Sequence, residues 1–414
     1  MAEPARIPDG LLARVRQRVA GQGTMPGVAE LGALVRDLGG VLGEQDLVAL
    51  AAAVRAEVVG AGPLQALLDE PGVSDVLVNG PRSVWVDRGR GLEACDVDLG
   101  DAARVRALAV RLAAAGGQRL DDAAPVADAR LPDGSRLHAV LPPVAGDGAL
   151  ISLRTLRPRA FTLTELVAAG SVAPLVAEVL EALVARRANL LVSGATGSGK
   201  TTLLSCLLSL VPPDERIVCI EEAGELGPDH PHVVRLLARR PNVEGAGEVD
   251  LAALVRHALR MRPDRIVLGE CRGAEVREVL TALNTGHDGG CATVHANAVE
   301  DVPARLTALA ALAGLSDDAL AAQAASALHA VVHLRRDGGL RYVAQVGAVR
   351  RGPTGLVVER VLGIGPDGVV SPGPGWAGFA GRWGIAAVGH GAAVGHGVAV
   401  GHGVAVGRGA AVGR

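Results

Sequence analysis

The chain has 414 residues, which is long enough for two domains with extensions. Its net charge of −3 provides no overall basic field of the kind that attracts nucleic acid. Hydrophobic residues make up 49% of the chain, but charged residues or glycines interrupt every apolar stretch before about 18 residues, which argues against a membrane-spanning helix. The start, MAEPARIPDG, lacks the basic and apolar regions of a signal peptide, so we expect a cytoplasmic protein.

Two segments with different patterns open the chain. Residues 1–62 are predicted to be helical, because apolar residues recur at helical spacing and alanine is abundant before residue 60. From 63 to 157, short apolar runs alternate with turns such as Pro132-Asp-Gly134. This alternation predicts a smaller α+β domain with an antiparallel sheet.

Residues 158–349 are predicted to form an α/β domain. Long amphipathic helices alternate there with short β-branched runs, which is typical of a parallel sheet flanked by helices. The predicted strands are residues 189–193, 216–220, 265–268, 292–295 and 330–334. Residues 350–388 are interpreted as a C-terminal extension. Residues 389–414, a Gly-His-Gly-x-Ala-Val repeat, are interpreted as a disordered tail.

The five cysteines form no Cys-x-x-Cys pair, so neither a zinc site nor a disulfide framework is indicated. They are Cys95, Cys206, Cys219, Cys271 and Cys291. We expect small buried thiols at these positions.

A glycine-rich loop follows the first strand of the predicted parallel sheet. Its sequence is Gly194-Ala195-Thr196-Gly197-Ser198-Gly199-Lys200-Thr201-Thr202, and an apolar helix follows. Glycines let backbone N–H groups approach a phosphate, and the helix N-terminus adds a positive dipole. We therefore expect these nine residues to bind ATP, with Lys200 between the β- and γ-phosphates and Thr201 coordinating Mg²⁺.

Lys200 is also the only lysine in the chain, since the other 40 basic residues are arginines. At exposed sites the two residues exchange easily. Between phosphate oxygens, however, a compact ammonium group fits where a planar guanidinium does not. The composition therefore supports the phosphate-binding role independently of the motif.

Acidic residues follow two other predicted strands. Glu270 ends an apolar strand in the manner of a Walker B acid, although Gly269 stands where Asp is usual. It could hold a metal-bound water or polarise the attacking one, so it is a candidate for both catalysis and metal binding. Glu221 and Glu222 follow a second strand, at the edge that faces the nucleotide in a doubly wound sheet. They are predicted to act as a general base or as ligands of magnesium-bound water.

Residues 285–297 begin rich in glycine and end in a strand that carries His295. A histidine beside a γ-phosphate can donate a hydrogen bond and report its loss on hydrolysis. The segment holds two histidines, an aspartate and an asparagine. We therefore expect it to contribute to the site through His295.

These motifs, in this order, resemble the secretion ATPase superfamily, the hexameric motors of type II and type IV secretion and pilus assembly. Further stretches are similar to its TadA/CpaF branch, the tight-adherence pilus and conjugal-transfer-associated ATPases. They are Arg130-Leu-Pro-Asp-Gly-Ser-Arg136, Leu141-Pro-Pro143, Arg240-Pro-Asn-Val-Glu-Gly245, Ala258-Leu-Arg-Met-Arg-Pro-Asp-Arg265 and Thr285-Gly-His-Asp-Gly289. The resemblance covers about residues 60–350, and the chain lacks the tetracysteine zinc insert of the type II exporter branch.

The resemblance implies a sensor-like N-terminal domain joined to a RecA-like P-loop NTPase domain, with six copies in a ring. It assigns residues 194–202 to Walker A, 221–225 to the acidic box, Glu270 to Walker B and 285–297 to the histidine box. Nucleotide binds between the two domains, so arginines of the N-terminal domain can reach the phosphates. Arg136 and Arg154 match such positions best, and Arg130, Arg157 and Arg240 are further candidates.

We therefore expect a homo-hexameric ATPase, with ATP and Mg²⁺ as its cofactors. It would act on an inner-membrane platform protein from the cytoplasmic face and so assemble pili or export protein, with no direct contact to nucleic acid. Two alternatives stay open. The same chemistry could drive conjugal DNA transfer, or the chain could be a scaffold that binds nucleotide without hydrolysing it. A small-molecule kinase is disfavoured by the order of the motifs.

Overall fold

A computed structural model describes residues 60–89, 91–155, 159–239 and 246–385, with a few positions before residue 58. The chain divides into two compact units, Met1–Arg159 and Ala160–Arg414. Most of the predicted helical region 1–62 lies outside the described residues. The whole predicted tail, Arg157 and Arg240 lie outside them too.

The first unit contains a six-stranded antiparallel sheet with the strand order β3-β2-β1-β6-β5-β4. In chain order its elements are a 3-10 turn (Gly62–Leu64), α1 (Gln65–Leu68), β1 (Asp75–Gly80), β2 (Ser83–Asp87), β3 (Leu92–Cys95), α2 (Ala102–Ala115), β4 (Val126–Arg130), β5 (Arg136–Val140) and β6 (Leu150–Arg154). Alternate strand residues are buried together with the apolar side of α2 in one core. The antiparallel sheet predicted for this region is therefore present.

The second unit contains a nine-stranded sheet with the order β15-β14-β13-β12-β7-β11-β10-β8-β9. Its elements are α3 (Leu163–Ala168), α4 (Pro174–Ala185), β7 (Leu190–Gly194), α5 (Lys200–Ser209), β8 (Ile217–Glu221), β9 (Val233–Leu237), α6 (Leu251–Ala258), β10 (Arg265–Leu268), α7 (Val276–Leu283), β11 (Cys291–Val294), a 3-10 turn (Val299–Asp301), α8 (Val302–Leu312), α9 (Asp317–Ala327), β12 (Ala330–Asp337), β13 (Leu340–Gly352), β14 (Gly355–Ile364), β15 (Val370–Pro372) and α10 (Trp376–Trp383).

The strands from β12 to β9 in this order are parallel, and β13, β14 and β15 are antiparallel. The central strands β7, β8, β10 and β11 are buried at every residue. Two separate apolar clusters pack on the unit's strands. Continuous apolar strands of this kind belong to a parallel sheet covered on both faces, so the predicted α/β class is confirmed.

All five predicted strands of this unit are confirmed. Four of them agree with the structure to within one residue at each end, and β12 continues three residues further, to Asp337. The predicted boundary after residue 349 is wrong, because β13 runs through it. Strands β14 and β15 pair in the same sheet, and Trp376, Phe379 and Trp383 of α10 are buried in its core. Residues 350–385 are therefore part of this unit rather than an extension.

The carboxyl ends of parallel strands lie at one edge of a sheet, and this edge gathers the candidate residues. The glycine-rich loop follows β7, Glu221 ends β8, Glu270 comes two residues after β10, and His295 follows β11. Strand β11 lies between β7 and β10. The sheet therefore places His295 between the loop and Glu270.

Candidate functional site

The glycine-rich loop joins β7 to α5 through backbone conformations that require glycine. Gly197 and Gly199 have φ angles of +71° and +98°, in the left-handed region that disfavours other residues. An ideal Cβ on Gly194 would lie 2.6 Å from the Leu334 carbonyl oxygen. The loop therefore wraps tightly onto the start of α5, where backbone N–H groups lack partners within the helix.

Lys200, the first residue of α5, turns back over this loop. Its ammonium group donates to the carbonyl oxygens of Gly194 and Ala195, both at 3.0 Å, and lies 3.2 Å from Nδ1 of His295. The side chain is nearly buried, and burial lowers its pKa, while the negative charge of Glu270 opposes that shift. The lone lysine is therefore fixed at the centre of the loop.

His295 joins Lys200 to Glu270. Its Nε2 lies 2.5 Å from Oε1 of Glu270, on the opposite side of the ring from Lys200. Nδ1 also lies 3.2 Å from the Gly194 carbonyl oxygen, so the ring contacts the loop backbone as well as the Lys200 ammonium group. Lys200, His295 and Glu270 thus form one continuous polar chain across the edge of the sheet.

Arg272, which was not among the predicted site residues, completes this chain. Its Nη2 donates to Oε2 of Glu270 at 2.6 Å. Burial raises the pKa of Glu270, but the hydrogen bond and charge of Arg272 together with the charges of His295 and Lys200 outweigh that effect, so the pKa is lowered. The only available signal was an arginine two positions after a strand-ending acid, which is weak in a chain with 40 arginines.

The two acids after β8 do not act as a pair. Glu221 is buried, and its Oε1 accepts a hydrogen bond from the Leu226 N–H at 2.8 Å. Glu222 is exposed, and its Oε2 lies 3.4 Å from Nη1 of Arg272. Successive residues of an extended segment point to opposite sides, which explains the separation.

Glu221 also explains why glycine stands in the usual Walker B aspartate position. An ideal Cβ on Gly269 would lie 2.7 Å from Cγ of Glu221, so the glutamate fills the space that a side chain at 269 would need. Oε2 of Glu221 has no hydrogen-bond partner among the described residues, and burial raises the pKa of this carboxyl group. A buried carboxylate oxygen thus stands beside the end of β10, although the sequence offers no acid at 269.

The predicted histidine segment divides between the two edges of the sheet. His287 lies before β11, with Nδ1 3.2 Å from the Ala282 carbonyl oxygen at the end of α7. The adjacent N–H groups of Gly289 and Gly290 donate to Oδ1 of Asn189. Only the end of the segment that carries His295 reaches the loop.

His333, which was not among the predicted site residues, contacts the strand residue that precedes the loop. His333 on β12 is 1% exposed, and its Nδ1 lies 2.9 Å from Oγ of Ser193, the residue before Gly194. Burial lowers the pKa of His333 to about 4. A lone histidine within an apolar strand gives no sequence signal for this contact.

The arginine candidates of the first unit lie side by side. Arg136 on β5 pairs in register with Arg130 on β4 and with Arg154 on β6. Directly opposite residues of antiparallel strands share a face of the sheet, so these three arginine residues form a row on one face. Arg154 also forms an ion pair with Asp75, at 3.0 Å.

Residues 57–340 match the family model described as Type II/IV secretion system protein. That match spans well over half of the 414 residues. The chain belongs to the type II/IV secretion system protein family. The family part of the predicted resemblance is therefore confirmed.

Several known proteins are similar to the chain. The "Putative conjugal transfer protein" of Mycobacterium tuberculosis strain H37Rv is 52% identical over 318 residues, which cover 75% of this chain and 90% of that protein. The type IV secretion system protein VirB11 of Brucella suis is 33% identical over 264 residues, covering 58% and 73%. The crystal structure of the Brucella suis VirB11 ATPase in complex with sulphate aligns with 29% identity and a TM-score of 0.36, covering 72% and 96%.

Within the part of this family member that the structure describes, no helix is both long enough and apolar enough to cross a membrane. The candidate site lies at the end of its parallel sheet, within the 284 residues that the family model covers. Its named groups are Lys200, His295, Glu270, Arg272 and Glu221.

Proposed function

We propose that the chain is an ATP-hydrolysing motor of a secretion or pilus-assembly system. One observation carries this proposal: a glycine-rich phosphate loop whose lysine is joined through His295 to the strand-ending Glu270. A phosphate loop alone supports nucleotide binding. A carboxylate and an imidazole held beside the γ-phosphate position add the groups that hydrolysis requires.

The residues of the second unit fit this reaction in separate roles. The backbone of residues 194–202 would surround the phosphates, with Lys200 between the β- and γ-phosphates. Glu270 would orient and polarise the attacking water, and His295 would donate to the γ-phosphate and detect its loss. Glu221 and Glu222 would act on this water and on the metal's water ligands, with Glu221 the better placed of the two because it is buried beside Gly269.

The site also fits Mg²⁺, which takes oxygen ligands and is held in such enzymes by few protein groups besides the phosphates. Thr201 in the first turn of α5 and Glu270 would hold it. Buried oxygens without hydrogen-bond partners in the described ranges, Oγ of Ser198 and Oε2 of Glu221, supply further polar surface. When bound, the metal would neutralise charge on the β- and γ-phosphates.

The arginine row of the first unit suits the phosphate charge that grows during transfer. Arg136 and Arg154 would contact the phosphates, because a guanidinium group binds phosphate oxygens bidentately. The RecA-like assignment of the second unit and the sensor-like assignment of the first belong to the same proposal. So does a homo-hexameric ring that works on an inner-membrane platform protein from the cytoplasmic face.

The load of the motor has two candidates. The relative in Mycobacterium tuberculosis is named for conjugal transfer, whereas VirB11 of Brucella suis is named for type IV secretion. We favour pilus assembly or protein export through a platform protein. A net charge of −3 provides no overall basic field that would attract DNA, so DNA transfer is the second candidate.

A deletion strain of the source organism tests this function. Wild-type protein should restore pilus display or secretion, while Lys200→Ala and Glu270→Gln should not. Glu178→Gln, at an exposed position of α4, is the matched control and should restore it fully. Restoration of plasmid transfer alone would assign the DNA load, and restoration by Glu270→Gln would support a scaffold that binds nucleotide without hydrolysing it.

A further inference from the structure

The hairpin of β12 and β13 packs against the phosphate loop. The hairpin turns at Gly338-Gly339, and Arg336 pairs in register with Arg341. Nε of Arg341 donates to the Gly197 carbonyl oxygen at 2.8 Å. A side chain from the antiparallel part of the sheet thus binds the backbone of the loop at Gly197.

The surroundings of Gly197 show that this is a packed contact. An ideal Cβ on Gly199 would lie 3.7 Å from Cδ of Arg341, in ordinary van der Waals contact. Nη1 of Arg336 lies 4.0 Å from an ideal Cβ on Gly197. The same face of the hairpin therefore brings two guanidinium groups to the loop that carries Lys200.

The hydrogen bond from Arg341 fixes the direction of a peptide group. In a trans peptide the carbonyl of Gly197 and the N–H of Ser198 point in opposite directions. Arg341 binds the carbonyl from outside, and the Ser198 N–H points across the loop, where it donates to the Ala195 carbonyl at 3.3 Å. The two sides of this peptide group are therefore held by different contacts, the carbonyl by Arg341 and the N–H by the Ala195 carbonyl oxygen.

We propose that Arg341 is a positioning residue for nucleotide binding, which holds the Gly197 carbonyl and with it the Gly197–Ser198 peptide group of the phosphate loop. The inference rests on the proposed nucleotide-binding function. The inference adds Arg341 to the proposed site, and this residue comes immediately after the span 57–340 that the family model matches. The hairpin thereby couples the antiparallel strands of the second unit to the phosphate loop.

Loss of this contact should weaken nucleotide binding more than it slows the chemical step. The loop N–H groups bind phosphate in the ground state and in the transition state alike, so their misorientation removes uniform binding. We expect Arg341→Gln to raise the Kd of both ATP and ADP about tenfold, with a smaller change in kcat. Arg341→Lys keeps a charged donor and should recover part of the affinity.

The test measures the Kd of a fluorescent ADP analogue and of ATP for the full chain. Arg335→Gln is the matched control, because Arg335 is on β12 of the same hairpin but faces the opposite side of the sheet from Arg341 and its partner Arg336. The unfolding temperature of each variant without nucleotide shows whether the fold is retained. Lys200→Ala defines the loss of binding that comes from the loop itself.

The expected result is wild-type affinity for Arg335→Gln, about tenfold weaker binding for Arg341→Gln and intermediate binding for Arg341→Lys. Equal affinities of Arg341→Gln and Arg335→Gln would overturn the inference and leave the proposed function intact. If wild-type protein binds neither nucleotide, the proposed function fails and the inference fails with it.

Discussion

Lys200 occupies a position whose dimensions suit an ammonium group. Its Nζ contacts two carbonyl oxygens at 3.0 Å and the His295 ring at 3.2 Å, in a side chain that is only 8% exposed. A guanidinium group is planar and wider, and it cannot replace a point charge among these groups. The rarity of lysine in this chain and the geometry of the site lead to the same conclusion.

Lys200→Arg should therefore abolish turnover although it preserves the charge. The expected loss of ATP hydrolysis is at least about 100-fold, close to that of Lys200→Ala. Steady-state release of phosphate from ATP measures it, with the unfolding temperature of each variant as the control for folding. A wild-type rate for Lys200→Arg would contradict the role given to the lone lysine.

The close packing of Glu221 against Gly269 leads to a second prediction about single residues. Gly269→Ala adds a Cβ 2.7 Å from Cγ of Glu221, and the overpacking should cost about 1–3 kcal/mol of unfolding free energy. In the double variant with Glu221→Ala the added methyl group has room, so its cost should largely vanish.

Denaturant unfolding of the wild type, both single variants and the double variant measures this coupling. Glu221→Ala alone is the control for loss of the buried carboxylate. Purely additive effects would show that Glu221 does not occupy the space beside Gly269.

At the scale of helices and strands, the pattern of apolar runs predicted where strands lie in the chain but not their order in the sheet. The apolar runs that became β7, β8, β10, β11 and β12 were recognisable because each is continuous and bounded by turns. Their neighbours are set by long-range pairing, which periodicity does not encode. Lys200, His295 and Glu270 could therefore be assigned singly, whereas the contacts among them depend on β11 lying between β7 and β10.

The antiparallel half of the second sheet was missed for a different reason. Strands β13 and β14 mix arginines with apolar residues. Their sequences therefore did not indicate that β13 pairs with β12 and β14 with β13. Arg272, Arg341 and His333 were missed because each acts through a neighbour in space. Side-chain contacts of this kind require the folded backbone.

His333 provides a prediction about strand β12. Burial, with a contribution from the charge of Arg335, lowers its pKa from 6.5 to about 4, so the folded state favours the neutral ring. This stabilisation is complete above pH 6.5 and is lost as the pH falls towards 4. His333→Gln removes the titrating group, so the stability advantage of the wild type over the variant should shrink on acidification.

Denaturant unfolding at pH 7.5 and pH 4.5 tests this prediction. The difference in unfolding free energy between wild type and His333→Gln should fall by about 2–3 kcal/mol between the two values. His257→Gln, at an exposed position of α6, is the control and should show a much smaller change. A difference that does not vary with pH would contradict a neutral, buried His333.

At the scale of the whole molecule, the two units carry different parts of the proposed reaction. The second unit holds the loop and the acids, and the first holds the row that contains Arg136 and Arg154. The sequence predicted two domains because the pattern of apolar runs and turns changes near residue 157. In the structure the first unit ends at Arg159. The ring and the use of the arginine row remain predictions from the family resemblance.

Assembly of the full chain tests the ring. With an ATP analogue that resists hydrolysis, light scattering should give a mass of roughly six times 41.9 kDa. The same measurement without nucleotide serves as the comparison. A monomer at every protein concentration, in the presence of nucleotide, would contradict the homo-hexamer.

ATP turnover by purified wild-type protein and by Glu270→Gln tests the central claim most directly. The amide keeps the shape of the side chain and removes the carboxylate that His295 and Arg272 hold. The account predicts turnover by wild type and by the Glu178→Gln control. For Glu270→Gln it predicts retained ATP binding with turnover lower by about 100-fold or more. Turnover by Glu270→Gln at the wild-type rate, or none by either protein, would contradict it.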